Sequence, residues 1–163
     1  MLVSNIITDT VAIFAALAGM AAEKHTVSFV NKCGHGTPLL KADGKTLSKG
    51  KDYTIHGRLI SAIAYLQTGH CGDNGESCTL IETTLKNPTK GEPGSGSSTD
   101  ISLIPPHKFS VTSGFGYIGA GCDHLGADCK SEKCKTAFHY PNDTDVQVAC
   151  QGANVDLVIT FCD

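Results

Sequence analysis

From His25 onward, apolar and polar positions alternate in short runs separated by glycine, proline and serine. His25 to Asn31 (HTVSFVN) sets Val27 and Phe29 among polar neighbours, the period of a half-buried strand. Asp52 to Ile55, Ile60 to Gln67 and Thr79 to Leu85 are further strand candidates, rich in Ile, Thr and Tyr. Leu59 to Leu66 (LISAIAYL) also fits a buried helical turn, because periodicity does not separate the two in a short apolar run. Asp100 to Ile104 and Phe109 to Thr112 read as strand-like runs around Pro105-Pro106. Val146 to Ala149 and Val155 to Phe161 (VDLVITF) follow, the last with the strongest buried-strand pattern.

The intervening segments are turn-like. Lys41 to Lys51 combines lysines with two glycines and predicts a hairpin turn region. Asn87 to Thr99 (NPTKGEPGSGSST) predicts a loop, as does Gly119 to Lys135, which holds three cysteines. No heptads, internal repeats or long amphipathic helices occur. Many short strands with frequent turns predict an all-β chain folded as a two-sheet β-sandwich.

The N-terminal region differs. Val11 to Ala22 is a run of 12 uncharged residues, the length of the apolar part of a signal peptide. A comfortable membrane span needs about 20. Gly19-Met20-Ala21 supplies small residues where a signal peptidase reads. Residues 1–22 are therefore expected to be a signal peptide and 23–163 a single domain, with Ala22, Glu23 or His25 as the mature start. A buried N-terminal helix is the alternative.

Composition narrows the function. Thirteen basic and 16 acidic residues nearly balance, and Arg58 is the sole arginine. No basic stripe with interleaved aromatics appears, so nucleic acid is not an expected partner. No membrane partner is expected once the leader is removed. The eight cysteines are an even set, which points to disulfides, an oxidising compartment and a secreted protein. Eight cysteines allow 105 pairings. Cys71 with Cys78 and Cys129 with Cys134 would each close a short loop, and neither spacing is the CxxC of a zinc ribbon or thioredoxin-like site. If Cys33 joined Cys162, chain entropy would make that closure worth about 5 kcal/mol, against about 2.5 for a loop near eight residues.

Beyond patterning, the chain resembles the thaumatin-like protein family. The resemblance rests on Thr26 to Cys33 (T-V-x-F-x-N-x-C), Leu66-Gln67-Thr68-Gly69 before Cys71, Thr79-Leu80-Ile81-Glu82 and Asp100 to Ile104. It continues through Gly121-Cys122, Cys134 to Phe138, Val148-Ala149-Cys150 and Val158 to Cys162. It implies disulfides Cys33–Cys162, Cys71–Cys78, Cys122–Cys150 and Cys129–Cys134, with no thiol left over. Larger members carry a helical lobe where only Lys130 to Lys133 stand here, so the chain is similar to a small, single-core, monomeric type.

That resemblance also implies a site. Members of the family often have an acidic cleft and bind β-1,3-glucan of cell walls; some hydrolyse it, and several inhibit fungal growth. Glu82 aligns with the cleft glutamate and Asp100 with a cleft aspartate, on neighbouring strand ends. Paired carboxylates suit glycoside cleavage because one donates a proton while the other is charged. The family's cleft arginine falls near Leu66-Gln67 and a second aspartate at Pro105, so glucan binding ranks above weak endo-β-1,3-glucanase activity. A protein-directed role as inhibitor or effector is the third class. Tyr65, Tyr117, Phe115 and Tyr140 are candidate sugar-stacking faces, although such aromatics more often pack in cores.

Three further motifs carry chemistry. Asn142-Asp143-Thr144 is an N-glycosylation acceptor. If processing left His25 first, its amine and ring would chelate copper with His107 or His139, as in polysaccharide monooxygenases; otherwise His25 is the exposed first residue of a strand. Cys122-Asp123-His124 and His139 suggest zinc, but a disulfide-bonded cysteine does not ligate metal. No cofactor or metal is expected.

Overall fold

A computed structural model describes residues 22–163; the leader run lies outside the described residues apart from Ala22. The described residues are all-β, with eleven strands in two sheets stapled by four disulfides. In chain order they are β1 (Lys24–Asn31), β2 (Thr37–Ala42), β3 (Lys45–Ser48), β4 (Tyr53–His56), β5 (Leu59–Gln67) and β6 (Leu80–Leu85). They continue with β7 (Ser97–Ser102), β8 (Ser113–Ile118), β9 (Gly126–Cys129), β10 (Val148–Cys150) and β11 (Asp156–Phe161). One sheet runs β4-β1-β11-β8-β9 and the other β10-β7-β6-β5-β2-β3. β1 and β11 pair in parallel, so the two ends of the described chain lie side by side.

Alternation decides which residues meet between the sheets. Val27, Leu157, Ile159 and Phe161 of one sheet share a core with Ala62, Ala64, Leu66, Ile81, Leu85 and Ile101 of the other. In β6 the odd positions Ile81, Thr83 and Leu85 are buried and Glu82 between them is exposed, the period of a pleated strand. Burying each large aliphatic side chain contributes about 1.5–3 kcal/mol.

The disulfides are Cys33–Cys162, Cys71–Cys78, Cys122–Cys150 and Cys129–Cys134, the pairing that the resemblance implies. Cys33–Cys162 closes 129 residues and sits just past the parallel β1–β11 ladder. The peptide bond between Pro105 and Pro106 is cis.

Ile60 to Gln67 is a strand as read, starting at Leu59 with a bulge between Leu59 and Ala62, and not the alternative helical turn. Other strand expectations need correction. Phe109 to Thr112 is loop, and the strand begins at Ser113. Its glycines hid it, since glycine weakens strand propensity. Gly126 is needed because a Cβ there would strike the Phe115 carbonyl, whereas one on Gly114 would displace the Asp128 side chain. Ser97 to Thr99 belongs to β7 rather than to the preceding loop, and β9 lies inside the stretch read as loop. The Lys41–Lys51 region is a β2–β3 hairpin, its turn at Asp43-Gly44 with both residues at positive φ.

Candidate functional site

On the outer face of the six-stranded sheet, the registers line up one row across four strands: Lys41, Ile63, Glu82 and Asp100. The adjoining row holds Ser61, Thr84 and Ser98, with Ser61 N–H donating to Thr84 Oγ1 at 3.1 Å. Ser61 occupies the β5 bulge at φ 49°, a conformation disfavoured for a residue with a side chain. The rows border a pocket of about 170 Å³ lined by Ser61, Ile63, Glu82, Thr84, Ser98, Asp100 and Gln147. Through Ser61 and Ile63 it adjoins a second pocket of about 180 Å³ that reaches Lys41 and Asn74. Together they form a polar groove crossing the strands.

Glu82 and Asp100 are therefore brought together, but not at strand ends: they sit mid-strand and directly opposite. Their environments differ. Glu82 is exposed, while Asp100 is 7% exposed. Asp100 Oδ1 is buried without a hydrogen-bond partner, and Oδ2 accepts from Gln147 Nε2 at 3.4 Å. Burial, followed by the facing Glu82 carboxylate, pushes Asp100 up to about 6, against a partial opposing effect of the Gln147 bond. Asp100 thus holds its proton in mildly acidic solution, when Glu82 at the surface is free to accept hydrogen bonds.

The Lys41 end of the row is closed differently. Its ammonium, nearly buried, lies 2.5 Å from Asp73 Oδ1 and donates to Asp73 O at 2.6 Å. Tyr65 Oη donates to the same carbonyl at 2.9 Å. These bonds fasten the Cys71–Cys78 loop onto the outer face of the sheet. Sequence reading did not single out Lys41, Ser61, Ser98 or Gln147. They converge through strand register, which leaves no local signature.

The aromatic candidates divide. Tyr65, Tyr117 and Phe115 are core residues, at most 4% exposed, and do not offer a stacking face. Tyr117 points between the sheets, and burial raises its phenol to about 12. Tyr140 is 67% exposed and sits at the turn before Asn142. Asn142 and Thr144 are both exposed, an accessible arrangement for a glycan.

His25 is not an exposed first residue. It is fully buried, its Nδ1 donating to Val155 O at 2.7 Å and its Nε2 lying 3.4 Å from Glu23 Oε1. His107 Nδ1 donates to Gly75 O and His139 Nε2 to Cys134 O, each in its own loop. These engagements give the copper reading no support. Among the described residues, no group of three or more His, Cys, Asp and Glu gathers as a metal site. No protein-family model matches the chain, and no curated protein matches it.

Proposed function

We propose that this chain is an exported, disulfide-stapled carbohydrate-binding protein of the thaumatin-like kind that holds β-1,3-glucan of cell walls along the outer groove of its six-stranded sheet. The observation that carries the reading is the register pairing of Glu82 with Asp100 inside a groove edged by Ser61, Thr84 and Ser98 hydroxyls. A carboxylate beside hydroxyls on rigid strands offers acceptors and donors at fixed spacing, which suits a chain of sugar hydroxyls. Four disulfides support an oxidising, extracellular setting. A glycan on Asn142 accords with that route.

Binding is favoured over hydrolysis. A catalytic acid must reach the glycosidic oxygen, yet Asp100 is buried and its Oδ1 is shielded. Pull-down on insoluble β-1,3-glucan tests the reading. Retention of the wild type and weaker retention of Glu82→Gln are expected; no retention at low or moderate salt would count against it. Reducing-sugar release from laminarin should stay at background for both proteins.

A further inference from the structure

Glu82 and Asp100 face each other on adjacent strands. Like charges directly opposite on a ladder destabilise it, and a buried carboxylate oxygen without a partner costs more still. The groups around Asp100 do not relieve this. From β6 it meets the Glu82 carboxylate and from the segment before β10 the neutral Gln147 amide; the phenol of Tyr117 on β8 lies on the inner side of β7, bonded to Thr99. On β5 the neighbour in the row is Ile63, and Lys41 at the far end is held by Asp73. One proton on Asp100 removes both the repulsion and the buried charge.

We propose that the groove binds its carbohydrate together with a proton taken up by Asp100 from solution, so that acidification strengthens binding. The inference rests on the carbohydrate reading above. A neutral sugar chain laid along the row covers Glu82 and displaces the water that screens it from Asp100. It brings no positive charge, and the shielded Oδ1 is out of reach of a sugar hydroxyl. Covering the groove therefore raises the proton affinity of Asp100 further. In the free protein, burial and Glu82 already set the carboxyl near pH 6, so the exchange falls in a mildly acidic window. By linkage, each unit by which the covered carboxyl exceeds the free one makes acid-side binding about tenfold tighter than alkaline-side binding.

Titration calorimetry with laminarihexaose, using the full disulfide-bonded protein, tests this at pH 5, 6.5 and 8. At pH 6.5, two buffers of different ionisation heat report protons exchanged. The expected result is a binding heat that depends on the buffer, with net proton uptake, and affinity roughly five- to tenfold weaker at pH 8 than at pH 5. Asp100→Asn, which mimics the protonated acid, should lose both the buffer dependence and the pH dependence. Glu82→Gln, which removes the repulsion, should reduce proton uptake even where it weakens binding. Binding with a flat pH profile and buffer-independent heat would overturn the inference while leaving the carbohydrate reading intact. Proton uptake that persists in Asp100→Asn would overturn it too. No binding at any pH would sink the carbohydrate reading and the inference with it.

Discussion

Tyr117 of the five-stranded sheet reaches across the core to Thr99 of the six-stranded sheet, with Oη 2.9 Å from Thr99 Oγ1. The same hydroxyl lies 3.0 Å from Val148 O, and Thr99 Oγ1 lies 2.7 Å from Thr83 Oγ1. A carbonyl only accepts, so a consistent proton order runs from Thr83 to Thr99, on to Tyr117, and out to Val148. The chain satisfies polar groups that would otherwise be buried alone, and it ties β6, β7, β8 and β10 at one level of the sandwich.

Removing its central hydroxyl should be costly. Tyr117→Phe keeps the ring in place but strands the Val148 carbonyl and the Thr99 hydroxyl. A loss of about 1–3 kcal/mol is expected from urea unfolding monitored at neutral pH. A loss below about 0.5 kcal/mol would mean that water replaces the phenol.

Asp100 makes stability depend on pH. Its folded value, about 6, exceeds the ordinary 3.8, so its contribution is full below about pH 3.8 and is lost as pH rises through about 6. The rise corresponds to about 1–3 kcal/mol. Asp100→Asn should therefore be more stable than wild type at pH 8 and lose that advantage at pH 4. Paired denaturation curves at the two pH values check this, and equal differences at both would refute it.

The disulfides should differ in worth. Replacing Cys33 and Cys162 together by serine opens a closure of 129 residues and frees the ends of β1 and β11. A cost of about 3–5 kcal/mol is expected. Cys129–Cys134 spans only five residues in sequence, and its double serine variant should lose less. Thermal unfolding of both variants ranks them.

Filling the groove should separate binding from folding. Ser98→Trp places an indole in the pocket beside Glu82 and Asp100, where the side chain is only partly buried. Retention on β-1,3-glucan should fall at least tenfold, with the unfolding midpoint little changed. Unaltered retention would move the binding surface elsewhere.

The all-β architecture was legible because alternation is a local property. His25 to Asn31 and Val155 to Phe161 carry it plainly, and both are strands. β8 was missed because Gly114 and Gly116 interrupt its apolar pattern, and at Gly126 of β9 the Phe115 carbonyl comes too close for a side chain. β9 was missed for a related reason, as an edge strand of four residues starting with glycine. Of the groove, Glu82 and Asp100 were found through resemblance, whereas Lys41, Ser61 and Gln147 were not.

Residue order alone carries the strand periods and the even cysteine set, since neither needs the fold to be read. The burial of Asp100, the clamp of Lys41 on Asp73, the inward turn of His25 and Tyr117 and the covering of Tyr65 by the Cys71–Cys78 loop arise from tertiary pairings. A one-residue change of register would turn Glu82 into the core and Thr83 to the surface. Packing of the two sheets selects the register, and with it which carboxylate meets solvent and which is left holding a proton.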